Sequence, residues 1–196
     1  MTMRRRGFTL VELMIAIAVI AILLMLAAPS FVDYMRVQRL KGVNAQLVTD
    51  LQYARTEAAS RNGDVYIHFK TLADDASMSC YTIYMITNAD WELTCDCTQP
   101  PGSSCTDEHT VEIRTVQVPV GTGVQLSLPV NQPASFGFIA ETGALRVDHR
   151  LVAVRLSEVR VLASIDSARV LRTTVGRSGR PTVCTPAGGV MGVASC

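Results

Sequence analysis

Charge is scarce in this chain: 18% of its 196 residues are charged, and 18 basic side chains against 17 acidic ones leave a formal net charge of +1. So even a balance argues against bulk binding to nucleic acid, which needs a clear cationic excess. Histidine is rare, and His68, His109 and His149 share no motif with a nucleophile. There is no Gly-x-Ser-x-Gly elbow and no phosphate-cradling glycine loop, so neither an enzyme nor a bound cofactor is expected. Zinc spacing is also missing, because Cys95-x-Cys97 lacks the two-residue spacer of a zinc knuckle and no paired histidines follow. Internal repeats and low-complexity tracts are absent. A hydrophobic content of 48% excludes disorder over long spans.

What the chain does have is one long apolar run. Behind Arg4, Arg5 and Arg6 comes GFTLVELMIAIAVIAILLMLAAPSF, from Gly7 to Phe31, in which only Thr9 and Glu12 are polar between Phe8 and Ala28. Those residues, at roughly 1.5 Å of rise each, give about 31 Å, the thickness of a bilayer's hydrocarbon core. Such a segment must be helical, since lipid offers backbone groups no partner. A cleaved secretory signal also begins with basic residues and an apolar run. Here the run is too long, a carboxylate sits inside it, and no small-x-small cleavage site follows.

Glu12 needs its own explanation, because an ionisable group in a membrane helix costs roughly 2.5 to 3.5 kcal/mol on insertion scales. Thr9-Leu-Val-Glu12 has capping-box spacing, and the helix dipole favours a negative charge near the N-terminus. Capping explains why Glu12 is tolerated. It does not explain why the motif starts directly behind Arg-Arg-Arg-Gly.

The order Arg4-Arg5-Arg6-Gly7, then Phe8-Thr9-Leu10-Val11-Glu12-Leu13, then a long apolar helix closing in Pro29-Ser30-Phe31, resembles the class III signal of type IV prepilins and type II secretion pseudopilins. The resemblance implies that a prepilin peptidase cuts after Gly7 and methylates the new N-terminus at Phe8. It further implies that Glu12 pairs with the N-terminal amine of a neighbouring subunit during filament assembly. The cut chain would hold 18 − 3 = 15 basic and 17 acidic residues, a net charge of −2. The basic leader would keep the N-terminus cytoplasmic and place all beyond Phe31 across the inner membrane. Six cysteines suit an oxidising compartment there.

Pro29 lacks an amide proton, which predicts a kink. Beyond it Leu40, Val43, Leu47, Leu51, Ala54 and Ala58 recur at three and four residue steps, with Arg39, Lys41, Gln46, Asp50, Gln52 and Arg55 assigned to the other faces. Asn62-Gly63 supplies a left-handed stop. The period then changes to two, and strands are expected at Val65 to Lys70, Tyr81 to Thr87, Thr110 to Val118, Val124 to Leu128, Ser135 to Ala140, Ala144 to Val147, Val152 to Ala163 and Ala168 to Val175. The fold class is α+β: a long N-terminal helix packed on a C-terminal antiparallel, sandwich-like β head. The expected division is a leader 1–7, a transmembrane and polymerisation helix 8–30, an amphipathic helix 31–62 and a head 63–196.

Asp50, Leu51, Gln52, Ala54, Arg55, Glu57, Ala58 and Arg61 fill a signature that ends the long helix, and in this the chain is similar to H-type minor pseudopilins and FimT-like minor pilins. The resemblance implies as partners the major pilin, other minor pilins or pseudopilins, the prepilin peptidase and the inner membrane. Minor subunits of this kind cap or prime a filament.

Six cysteines, Cys80, Cys95, Cys97, Cys105, Cys184 and Cys196, allow fifteen full pairings. Cys184 with Cys196 is the expected pair, closing a short terminal loop at a chain-entropy gain of about 3 kcal/mol. The other four are expected to bridge among themselves. From Asp64 to Glu112 there are nine acids against Lys70, whereas Arg146 to Arg180 holds eight arginines against three acids, so the head has an acidic and a basic part. Arg177 and Arg180 in Val175-Gly-Arg-Ser-Gly-Arg-Pro181 resemble the Gly-Arg-x-Arg element of FimT-like pilins, which implies DNA as an alternative partner. Thr182 stands where the second arginine belongs, and DNA is not favoured.

Overall fold

The computed structural model of the chain describes residues 9–87, 95–147 and 157–196. Thr9 opens the long helix: its Oγ1 accepts the Glu12 amide at 3.2 Å and its carbonyl accepts the Leu13 amide at 3.2 Å. One of the amides that every helix start leaves unpaired is thereby satisfied by a side chain. Helix α1 then runs Leu10–Arg61 over 52 residues. It stops at Asn62, whose φ of 50° is left-handed, and the Gly63 amide returns to the Ala58 carbonyl at 3.2 Å. This is a Schellman closure with asparagine in the left-handed position.

The chain divides into two compact units between Arg36 and Val37. In the first, α1 presents an apolar surface on all sides: Leu10, Leu13, Ile17, Ile20, Leu24 and Met25 are each 55% to 80% exposed. Among the described residues no single helix is long and apolar enough to cross a membrane, although Leu10–Met25 and Ser30–Arg61, bent by 41° at the break between them, meet length and composition as a pair.

In the second unit the remainder of α1 buries Leu40, Leu47, Leu51, Ala54 and Ala58. The described strands are β1 Val65–Lys70, β2 Met78–Ile86, β3 Thr110–Pro119, β4 Gln125–Ser127, β5 Ser135–Phe138, β6 Leu145–Arg146, β7 Glu158–Ser164, β8 Val170–Gly176 and β9 Pro181–Cys184. They form a five-stranded sheet in the order β3-β2-β1-β5-β6 and a four-stranded sheet in the order β4-β7-β8-β9. All pairings are antiparallel. Strict alternation along β1 turns Val65, Ile67 and Phe69 into the core and leaves Tyr66, His68 and Lys70 half-buried. Helix and both sheets share that core, where Phe69 stacks on Phe136 at 5.8 Å and meets Tyr81 at 5.3 Å.

The expected strand β1 is found residue for residue, and β2 begins three residues earlier than its apolar pattern, at Met78. The start of the strand expected from Val152 lies outside the described residues, and its described part is β7. Strand β9 was not expected. It begins at a proline on the edge of its sheet, where the missing N–H removes no ladder bond. Asp50, placed on the polar side of the helix by the sequence pattern, is instead 1% exposed. It lies three residues after Leu47 and four before Ala54, and so shares their face.

Candidate functional site

Gly7 and Phe8, the expected cleavage and methylation positions, lie outside the described residues. Glu12 is in the first turn of α1, exposed, with its amide held by Thr9. The helix dipole favours its carboxylate there. Immediately beyond it the bare apolar surface begins.

The seam between α1 and the head is polar at chosen points. Asp50 Oδ2 accepts the Tyr81 hydroxyl at 2.6 Å and Arg114 Nη1 stands 3.1 Å from Oδ1. The carboxylate is 2% exposed while the arginine is 46% exposed, so the charge is buried but its partner reaches out to water. Burial, then the bond to Asp50, pushes the Tyr81 hydroxyl far above its ordinary pKa and holds it as a donor. Nearer the start of the buried stretch, Thr173 on β8 donates to Asn44 Oδ1 at 2.9 Å, and Lys41 Nζ donates to the Met191 carbonyl at 2.7 Å. Helix α1 is thus tied to both sheets and to the C-terminal loop.

Arg55 makes a third tie, donating from Nε to the Gly143 carbonyl at 3.0 Å. Gly143 turns β5 into β6 at a φ of 61°. Its carbonyl lies against Gly179 in the β8–β9 turn, so close that a Cβ on Gly179 would overlap that oxygen. The Leu145 amide donates to the Arg177 carbonyl at 3.0 Å and the Gly179 amide to the Gly176 carbonyl at 2.9 Å. Arg177 and Arg180 therefore flank a buried glycine at the tip of a hairpin, both exposed. Gly179→Ala combines a left-handed φ of 72° with that overlap. The expected loss is about 2–4 kcal/mol of head stability, read from urea unfolding.

Three disulfides are present: Cys80–Cys97, Cys95–Cys105 and Cys184–Cys196. The first two hold a strap, residues 95–105, over the outer face of the five-stranded sheet. Gln117 Nε2 on β3 donates to the carbonyls of Cys97, Thr98 and Gln99 at 2.9, 3.2 and 2.9 Å. Glu112 accepts the amides of Gly102 and Ser104, each at 2.8 Å, and the Thr115 hydroxyl at 2.7 Å. Lys70 Nζ donates to Asp96 Oδ1 at 2.9 Å. That bond first, and then the Thr98 hydroxyl, lowers the Asp96 pKa to about 2. A carboxylate lowered in the folded state stabilises it above its unfolded pKa, about 3.9, and ceases to do so as pH falls through the folded value. The melting temperature should therefore drop between about pH 4 and about pH 2, and Asp96→Asn should flatten part of that slope.

His68 on β1 is kept neutral chiefly by burial, and its Nδ1 has no hydrogen-bond partner. The carbonyl of His109, just before β3, accepts the Thr87 amide at 2.8 Å, and His149 is outside the described residues.

A helix that is bare and apolar in one unit and packed on antiparallel sheets in the other, opening with a threonine cap and an acid in its first turn, defines a type IV pilin-like fold. Residues 2–28 match the prokaryotic N-terminal methylation motif, and residues 44–179 match the type II transport protein GspH family. The second match spans more than half of the chain, which belongs to that family and is a minor pilin or pseudopilin of the type IV filament and type II secretion class. Association with other pilins or pseudopilins follows from that membership. Neither a curated protein nor a solved structure matches the chain.

Proposed function

We propose that the chain is a minor pseudopilin that primes or caps the filament of a type II secretion machine. In this reading a prepilin peptidase removes residues 1–7 and methylates the Phe8 amine, and α1 anchors the protein in the inner membrane with its head in the periplasm until assembly. The observation that carries the reading is the uncovered apolar surface of α1 directly behind Glu12. Each large aliphatic side chain left in water costs about 1.5–3 kcal/mol relative to burial, so this surface requires lipid or other apolar helices around it.

Assembly is then an exchange of surroundings. Lipid contacts are replaced by contacts with neighbouring helices, which are no less apolar, so the hydrophobic effect alone gives little direction. Glu12 supplies it, because its carboxylate can be neutralised by the Phe8 amine of a neighbour only in the filament. In a low-dielectric surrounding that pairing offsets most of the roughly 2.5–3.5 kcal/mol its charge costs in lipid.

Between the two machines that use this signal, the family matched over residues 44–179 favours secretion. The alternative, DNA capture by Arg177 and Arg180, has their exposure in its favour. Two phosphate contacts, however, release few counterions, a salt slope of roughly −2, and cannot hold duplex at physiological salt. Deleting the gene should stop export of the machine's substrates, with restoration by the wild-type chain and not by Gly7→Ala. Intact secretion in the deletion strain would contradict the assignment.

A further inference from the structure

Half of the arginines described in the second unit are matched with acids. Arg61 pairs with Glu57, Arg114 with Asp50, Arg146 with Asp64, Arg160 with Glu158 and Arg169 with Asp166. Among the described residues of the second unit Arg39, Arg55, Arg172, Arg177 and Arg180 have no carboxylate partner; Arg55, Arg177 and Arg180 are the three that come together, and Arg55 uses only Nε, on the Gly143 carbonyl at 3.0 Å. All three issue from one structural knot, in which the Gly143 carbonyl lies against Gly179 and the Leu145 amide holds the Arg177 carbonyl at 3.0 Å. Helix α1, the β5–β6 turn and the β8–β9 turn meet there. The backbone beneath the arginines is fixed before anything binds, which reduces the ordering cost of docking.

We propose that Arg55, Arg177 and Arg180 form a docking point for carboxylates on a neighbouring subunit of the filament, an inference that rests on the assembly reading above. Guanidinium forks suit carboxylates, to which they give two parallel bonds. Three such groups make a weak contact in free solution. Once both helices are in one bundle, the effective concentration of the neighbouring head reaches the millimolar range, and a weak contact is then occupied. Nucleic acid fits the same surface less well. The ring beside Gly179, Phe138, is buried and offers bases no stacking platform, and the cut chain as a whole has an acidic excess.

Ser178, exposed between the two hairpin arginines, gives a direct test. The full chain carrying a photo-crosslinking amino acid at position 178 is expressed in cells with the whole machine, and leader removal and filament incorporation are scored in the same samples. The expected adduct joins position 178 to an Asp- or Glu-bearing peptide of another filament subunit. It should fall at least tenfold in Arg177→Glu with Arg180→Glu, an exposed pair whose replacement leaves the core intact, and severalfold in Arg55→Gln. An adduct to nucleic acid or lipid, an adduct that the reversed charges leave unchanged, or none from chain that is processed and incorporated would overturn the docking point while leaving the assembly reading in place. Chain that is neither processed nor incorporated would overturn both.

Discussion

Glu12→Leu should lower filament incorporation by more than tenfold while leaf-level properties of the head, its melting temperature and its disulfides, stay as they are. The substitution removes an exposed charge from the first turn of α1 and makes the helix more apolar than before. By hydrophobicity alone the variant belongs in the membrane more firmly, by about 2.5–3.5 kcal/mol. That is the point: with no acid to neutralise, the free-energy difference that moves the helix out of lipid and into a bundle disappears. A shift of that size is roughly a hundredfold in the assembly equilibrium. Crosslinking to other subunits in wild-type and variant cells measures it, with leader removal followed in parallel. Unchanged incorporation would show that the helix assembles by packing alone.

A second large effect is expected at Asp50. Alanine there leaves the Tyr81 hydroxyl buried with no acceptor and deprives Arg114 of its partner. An unsatisfied buried hydroxyl costs about 1–3 kcal/mol, and with the cavity and the broken ion pair the expected loss is about 3–4 kcal/mol. Asn keeps an acceptor for Tyr81 and should cost less than half as much. Urea unfolding of Asp50→Ala, Asp50→Asn, Tyr81→Phe and the Asp50→Ala, Tyr81→Phe double variant should show that the Tyr81 and Asp50 effects are not additive, since both break one bond. Additive losses would mean that the two side chains act separately.

The reach of sequence reasoning follows from what each element depends on. The long helix is legible because a basic tag, a cap and an uninterrupted apolar run act locally, and β1 is legible because its alternation is strict. The face of α1 was misread at one point. Asp50 has the spacing of the core face, three after Leu47 and four before Ala54, but its polar type suggests the opposite side; Asn44, four after Leu40 and three before Leu47, is buried on the same face. Partners on β2, β3 and β8, far along the chain, make their burial tolerable, and no local pattern announces them. Strand β9 was missed because Gly179 and Pro181 read as turn residues. The pairing of the first four cysteines stayed open because it depends on how a strap lies across β2. Arg55 looked like an exposed helix charge, and its role emerged only with the Gly143 and Gly179 turns stacked beneath it.

The role of the chain turns on what the front of α1 becomes after synthesis. Intact-mass and N-terminal fragment analysis of the protein recovered from membranes of its own cells tests this most directly. A chain beginning at N-methylated Phe8 is the predicted result; one that still begins at Met1 would contradict it.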